Sequence, residues 1–166
     1  MTLSARAASP GDIPAIAQIY NEGIEDRVGT FETRPRSADD VRTWFDGVHP
    51  IVVVEAIDGR LVAFASTSTY RTRDCYAGIA EFSVYVARAE RGRGAGRVAM
   101  AALIAAAAQA GFWKLVSRIF IENTASRTLM TGVGFREVGV YEKHGKLDGV
   151  WRDVVIVERV IPENLR

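Results

Sequence analysis

The fold of this chain is decided by two neighbouring stretches, AEFSVYV at residues 80–86 and RGRGAGR at residues 91–97. The first has the composition of a strand, and the second is a cationic, glycine-rich turn that leads into an alanine-rich helix at residues 95–110. A helix N-terminus presents unpaired N–H groups and positive dipole charge, and glycines let the backbone approach a phosphate. This order of elements predicts an anion-binding cradle. The alternative is a tight turn with solvated arginines.

Two better-known phosphate motifs do not fit this turn. The dinucleotide-binding fingerprint requires its third glycine at the position of Arg97, and the phosphate loop of ATPases ends in Gly-Lys-Ser/Thr, a triplet that the chain lacks. The predicted phosphate therefore belongs neither to NAD nor to ATP.

The composition is that of a globular protein, since 48% of the 166 residues are hydrophobic, 25% are charged and the formal net charge is +1. So small a net charge gives no strong positive potential that would attract nucleic acid. The chain has a single cysteine, Cys75, which excludes an internal disulfide. Neither a signal-peptide pattern nor an apolar run of the ~20 residues that span a bilayer is found. We expect one domain over residues 1–166, no membrane partner and a soluble, reducing, cytoplasmic setting.

Hydrophobic periodicity and turn residues predict strands and helices mixed along one unbroken chain, which indicates an α/β layer structure. The helix at residues 95–110 is apolar nearly all round, so we expect it to be buried on more than one side. The helix after Ser37 should bury Val41, Trp44 and Phe45. Predicted strands cover residues 3–8, 51–57, 61–70, 76–86, 114–121, 135–143 and 150–160, and the other predicted helices begin after Ser9 and at residue 124.

Four motifs in this order resemble those of the GNAT acetyltransferases. They are Glu-x-x-Val-Tyr-Val at 81–86, Arg-Gly-Arg-Gly-Ala-Gly at 91–96, Glu-Asn-Thr-Ala-Ser at 122–126 and Gly-Phe at 134–135. Three more stretches, at residues 30–33, 70–76 and 149–154, are similar to the phosphinothricin, methionine sulfoximine and arsinothricin N-acetyltransferases. The resemblance implies an α/β (α+β) GNAT fold, a mixed, mostly antiparallel twisted sheet of about seven strands flanked by about four helices.

The resemblance also implies a function. We expect an acetyl-CoA-dependent N-acetyltransferase that acetylates the α-amino group of a small acidic glutamate analogue, in a detoxifying or antibiotic-resistance role, and that forms a homodimer. A GNAT enzyme with another amine acceptor (an ordinary amino acid, a polyamine or a protein N-terminus) and a catalytically silent CoA-binding module are the alternatives.

Glu81 is the candidate catalytic residue. Alternate residues of a strand share a face, so Glu81 lies with Ser83 and Tyr85 on one side of the strand, just upstream of the cradle. Partial burial disfavours the charged form of a carboxylate, which makes it a better base near neutral pH. An ammonium group must lose a proton before its nitrogen can attack a thioester. The alternative is a structural Glu81 that is paired with an arginine.

Arg71 and Arg73 are two residues apart, so in an extended segment they would share one side and form an anion clamp. The alternative is two solvated arginines in a bend. By resemblance, the predicted substrate contacts are Phe31, Arg71, Arg73, Tyr76 and Ser83.

Asn123 and Ser126 are expected by resemblance to reach the pantetheine arm of the cofactor, although helix capping is the simpler role. The predicted cofactor contacts are Val84, Tyr85, Val86, Arg91, Gly92, Arg93, Gly94, Gly96, Arg97, Asn123 and Ser126. The chain departs from the family at Met130, where many members have a proton-donating tyrosine, and at Asp148, where the phosphinothricin branch often has a histidine.

No metal site is expected. His49 and His144 lie in predicted loops without partners at ligand spacing, and Cys75 has no nearby histidine that would activate it as a nucleophile.

Overall fold

The computed structural model describes residues 2–166, which form seven strands and four α-helices. The strands are β1 (Leu3–Ala7), β2 (Ile51–Ala56), β3 (Leu61–Thr69), β4 (Ile79–Val86), β5 (Lys114–Phe120), β6 (Arg136–Leu147) and β7 (Val150–Val160). The helices are α1 (Ile13–Asp26), α2 (Ala38–Arg42), α3 (Ala95–Gln109) and α4 (Thr124–Gly132). All seven strands belong to one sheet in the order β1-β2-β3-β4-β5-β7-β6, with a parallel pair at β4–β5 and antiparallel pairs elsewhere. The predicted mixed, mostly antiparallel sheet is confirmed.

Two apolar layers cover opposite faces of the sheet. Ala80 and Phe82 of β4 belong to the core that contains Met100 of α3, whereas Tyr85 packs against the core of α1. The rings of Tyr85 and Tyr20 meet edge to face with their centroids 4.9 Å apart. The alternation of side chains predicted for β4 is therefore observed, and Glu81 lies on the α1 side.

The expectation that α3 is buried on more than one side is wrong. Ala99 and Leu103 are fully buried against the sheet, but Ala101 and Ala105 are exposed on the opposite side of the helix. Alanine contributes little apolar surface, so an outer face of Ala101 and Ala105 between the exposed Arg97 and Gln109 is tolerated in water without a covering element.

Three predicted boundaries shift. α2 ends at Arg42, so Trp44 and Phe45 follow the helix instead of lying on it, although both still pack against the core of α1. β4 begins at Ile79, because residues 74–76 form a 3₁₀ turn. β6 continues to Leu147, which places His144 in a strand instead of a loop.

β4 and β5 part after a short parallel contact. In the part of the chain that the structure describes, they pair only through Ile79–Lys114, Ala80–Leu115 and Glu81–Val116. At the point of divergence the Ser117 hydroxyl donates a 2.8 Å hydrogen bond to the Phe82 carbonyl. Beyond it the strands enclose an open cleft, which positions the candidate site.

Candidate active site

A cavity of about 570 Å³ opens where β4 and β5 diverge. Its walls come from β4, β5, the loop at residues 29–32 and the β6–β7 hairpin, and its lining includes Glu81, Ser83 and Arg118. A smaller chamber of about 70 Å³ continues from it along the cleft and reaches Asn123, Ser126 and Met130. The two spaces share Ser83, Ser117 and Arg118. They form one continuous site that reaches from the hairpin to α4.

Glu81 is held by a residue that the sequence reasoning missed. The Arg118 guanidinium donates a 2.5 Å hydrogen bond from Nη2 to Glu81 Oε1, and the Glu81 side chain is 28% exposed. The alternative role considered from the sequence, a Glu81 paired with an arginine, is therefore observed. A usable signal was present, because Arg118 is the one charged residue inside the apolar run 115–121 and shares a strand face with Val116 and Phe120.

Further basic residues line the cavity. Arg118 Nη1 lies 3.3 Å from His144 Nε2, and the Lys146 ammonium lies 4.7 Å from the centre of the Trp151 ring. The other acidic residue in the cavity lining, Glu32, forms a 2.8 Å ion pair with Arg36. The main cavity therefore combines one guanidinium-bound carboxylate with basic groups from β5 and the hairpin.

Four of the five predicted substrate residues are divided between two cavities. Phe31 and Ser83 line the main cavity, and the Phe31 ring meets the Phe120 ring edge to face at 4.9 Å. Arg71 and Tyr76 line an adjoining cavity of about 430 Å³, which shares Glu81 and Arg118 with the main one.

Arg71 and Arg73 are not brought together as a clamp. Arg71 lies over the Tyr70 ring at 5.2 Å, and Arg73 is exposed outside the lining of both cavities. Their proposed role in binding an acid therefore stays a prediction.

The predicted cradle has the backbone of an anion site. Gly92 and Gly94 have φ angles of 78° and 91°, a region that favours glycine, and a β-carbon at either position would meet nothing within 4 Å. Gly94 is the N-cap of α3 and supplies no side-chain cap, so the first N–H groups of the helix lack a side-chain acceptor. Gly96 allows close packing between α3 and α4, since a β-carbon there would lie 3.0 Å from Leu129 Cδ2 of α4.

The three arginines of the cradle are already engaged by protein groups. Arg91 Nη1 lies 2.6 Å from Asp26 Oδ2 at the end of α1, and Arg97 Nη2 donates to the Gly132 carbonyl at 3.3 Å. Arg93 has the longest contact, 3.4 Å to Glu90, and its side chain is 60% exposed. Of the three, Arg93 is the one most available to a phosphate.

Asn123 caps α4 and also holds the loop that follows α1. Its Oδ1 accepts the Ser126 N–H at 3.1 Å, which caps α4, and its Nδ2 donates to the Val28 carbonyl at 3.1 Å. The residue therefore ties α4 to the loop that carries Phe31. Asn123 and Ser126 line the smaller chamber with Val84 and Tyr85, while Val86 packs into the core of α3.

The family model described as the Acetyltransferase (GNAT) family matches residues 16–135. The chain belongs to this family. A phosphinothricin N-acetyltransferase of Streptomyces coelicolor is 32% identical over 89% of this chain and 90% of the relative. An L-methionine sulfoximine/L-methionine sulfone acetyltransferase of Pseudomonas aeruginosa is 30% identical over 95% of this chain and 94% of the relative. The crystal structure of a GNAT superfamily phosphinothricin acetyltransferase from Sinorhizobium meliloti in complex with AcCoA superposes with a TM-score of 0.90, at 27% identity, over 97% of this chain and 89% of that one.

This GNAT chain is therefore an acyltransferase, as the resemblance implied, and the Sinorhizobium meliloti neighbour holds AcCoA as its acyl donor. The residues present fit that donor, because the uncapped start of α3 offers N–H groups to a diphosphate and the cleft beside Val84 leaves room for an extended arm. Within residues 2–166 no group of three or more His, Cys, Asp and Glu side chains is arranged to hold a metal ion. None of the helices in the same range has the length and hydropathy needed to cross a bilayer.

Two departures from the GNAT pattern have structural counterparts. Met130 is buried and lines the smaller chamber, where a thioether cannot donate a proton. Tyr85 lines both spaces, but burial raises the pKa of its hydroxyl, which makes it a poor acid. Asp148, at the tip of the β6–β7 hairpin, forms a 2.9 Å ion pair with Arg27 at the end of α1. The hairpin tip is therefore fastened to the loop on the other side of the cavity.

Proposed function

We propose that this GNAT enzyme acetylates the α-amino group of a small acidic glutamate analogue, with phosphinothricin, methionine sulfoximine and arsinothricin as candidate acceptors. The observation that carries the proposal is a cavity at the β4–β5 fork whose lining combines Glu81 with three basic residues, Arg118, His144 and Lys146. Basic groups recognise an acidic acceptor through charge-assisted hydrogen bonds, and the carboxylate meets its amine. The two relatives named above support this acceptor class.

In the proposed reaction, Glu81 accepts a proton from the acceptor's ammonium group, directly or through a water. Deprotonation exposes the nitrogen lone pair that attacks the acyl carbon. When bound, acetyl-CoA supplies an acetyl thioester, and the first turn of α3 with Gly92, Gly94 and Gly96 holds its diphosphate. A covalent acetyl-enzyme is not part of this proposal, since Cys75 is exposed and does not line the main cavity.

Departure of the thiolate needs no acid from the protein in this proposal. A free thiol has a pKa of about 8.5, so its thiolate is a good leaving group near neutral pH. This accounts for the tolerance of Met130 at a position where a proton donor is expected.

The test is a thiol-release assay with acetyl-CoA against phosphinothricin, methionine sulfoximine, arsinothricin, ordinary amino acids, a polyamine and a peptide N-terminus. Turnover confined to the acidic analogues supports the proposal. Turnover confined to the polyamine or the peptide contradicts the acceptor class, and binding of acetyl-CoA without turnover of any amine indicates a silent module.

We further propose that the enzyme is a cytoplasmic homodimer that uses the β6–β7 hairpin as its contact surface. The exposed apolar side chains concentrate there, with Val138, Val140, Tyr141, Val150 and Trp151 each 45–59% exposed. A cluster of this kind on an edge strand is typical of an interaction surface. Sedimentation velocity at micromolar protein should show a dimer, and a monomeric peak would contradict the proposal.

A further inference from the structure

Arg118 occupies the centre of the site. It lines the main cavity, the smaller chamber and the adjoining cavity that contains Arg71. Its side chain is 47% exposed, and its two terminal nitrogens contact Glu81 and His144. An incoming acceptor at the fork must therefore pass this guanidinium.

The other charged groups of the main cavity are less available. Glu32 is neutralised by Arg36, and the Lys146 ammonium rests over the Trp151 ring. Among the residues described, Arg118 is the one guanidinium in the lining of the main cavity. It is also the ion-pair partner of Glu81 at 2.5 Å.

This pairing conflicts with base catalysis. Glu81 Oε1 accepts the Arg118 N–H at 2.5 Å, so the guanidinium occupies a place from which an ammonium group would donate to this carboxylate. Glu81 can act efficiently only if Arg118 moves away or acquires another partner. An α-amino acid carries such a partner, because its α-carboxylate is covalently adjacent to the amine that must reach Glu81.

We propose that the acceptor's α-carboxylate takes Arg118 from Glu81, so that recognition of the acid and release of the base are one event. The exchange replaces one charge-assisted hydrogen bond with another and leaves no buried charge unpaired. An amine without an α-carboxylate enters the same cavity but leaves Glu81 held by Arg118. This inference rests on the proposed function and assigns Arg118 as its specificity-determining residue.

The experiment compares phosphinothricin with the same compound lacking its α-carboxylate, in wild type, Arg118→Gln and Arg118→Lys. Wild type should strongly prefer phosphinothricin. Arg118→Gln should lower kcat/KM for phosphinothricin by about 10- to 100-fold, because hydrogen bonds to a charged group are lost, and should leave kcat/KM for the decarboxylated amine unchanged or raised. Arg118→Lys should restore part of the preference, since the positive charge remains.

A second readout separates exchange from a structural role. With phosphinothricin, the loss in Arg118→Gln should appear mainly as a raised KM, because the guanidinium that binds the α-carboxylate is missing. Arg136→Gln on β6 is the matched control, since Arg136 pairs with Glu158 and does not line the main cavity. Thermal unfolding of each variant establishes that it is folded.

Equal losses with both acceptors, or a loss with phosphinothricin that lies in kcat alone, would overturn the inference and leave the proposed function intact. A wild-type enzyme that takes both acceptors equally would also overturn it. A wild type that acetylates neither contradicts the proposed function instead. The comparison is then repeated with whichever α-amino acid the enzyme accepts and its decarboxylated counterpart.

Discussion

Glu81 is the residue on which the proposed chemistry depends. Glu81→Gln retains the shape of the side chain but cannot accept the acceptor's proton. We expect kcat to fall by about 10²- to 10⁴-fold, the range for loss of a general base, with acetyl-CoA affinity unchanged. Initial rates of thiol release and calorimetric titration of acetyl-CoA measure the two quantities. Glu142→Gln, an exposed position on β6, is the control, and full activity of Glu81→Gln at neutral pH would refute the assignment.

Gly78, immediately before β4, supports the fork by close packing. A β-carbon at this position would overlap the ring of Trp113, and the Gly78 carbonyl accepts the Trp113 N–H at 2.8 Å. Gly78→Ala should therefore lower the free energy of unfolding by about 1–3 kcal/mol, as overpacking does. Urea denaturation measures it. Gly139→Ala is the matched control because its β-carbon would meet nothing within 4 Å, and an equal effect of both changes would argue against packing as the cause.

At the scale of elements, the β6–β7 hairpin forms one wall of the main cavity, and the Arg27–Asp148 pair holds its tip. Asp148→Asn should loosen the hairpin tip and raise the acceptor KM about two- to fivefold, with little change in stability, because exposed ion pairs contribute about 0–1 kcal/mol. Steady-state kinetics at low and high salt measure the effect. The control is Asp58→Asn in the Asp-Gly turn between β2 and β3, whose acceptor KM should not change. An unchanged KM in Asp148→Asn would remove the hairpin tip from the specificity argument.

Most elements could be predicted because each has a local signal in the sequence. Ser37 and Asp40 form a capping box at the start of α2, and the Asp148-Gly149 turn has the positive φ values, 50° and 79°, of a hairpin dipeptide. The cationic glycine turn likewise predicted the backbone geometry at the start of α3. Boundaries failed where tertiary packing decides them, as at residues 74–76, where a 3₁₀ turn replaces the predicted strand start.

The partners of charged side chains could not be predicted from the sequence. Arg118 and Glu81 are 37 residues apart and meet only because β5 lies beside β4 in parallel register. The same holds for Arg91, which was expected to be free for phosphate but contacts Asp26 of α1. A pattern identifies which residue types are present and on which strand face they lie. It does not say which opposite charge the fold brings to each one.

For the whole molecule, acid should be the destabilising condition. Arg6 holds the pKa of the Asp12 carboxyl below its usual value, and hydrogen bonds from His49 outweigh burial and lower the pKa of Asp46 to about 2. The same direction applies to the pKa of Asp26, Asp40, Asp58, Glu137 and Glu158. A carboxyl with a lowered pKa in the folded state contributes stability above its unfolded pKa, and this stability is lost as the pH falls.

The urea midpoint should therefore be flat with respect to these groups from about pH 5 to 7 and should fall below about pH 4.5, where unfolded carboxyls begin to bind protons. Urea titrations at half-unit intervals of pH measure the slope. Asp12→Asn should reduce that slope, because it removes a carboxylate whose side chain is 9% exposed. A midpoint that stays constant down to pH 3 would show that these ion pairs contribute no net stability.

Within the described chain, the sheet consists of an antiparallel half of four strands, β1–β4, and an antiparallel half of three, β5–β7. The three-residue parallel contact between β4 and β5 is the only strand pairing that joins them. A ligand bound in the fork contacts both halves and therefore bridges the shortest strand pairing of the sheet. Because the ligand binds only the folded state, its binding increases the free energy of unfolding by mass action. The candidate site therefore lies at the shortest strand pairing of the sheet, and we expect bound ligand to raise the free energy of unfolding.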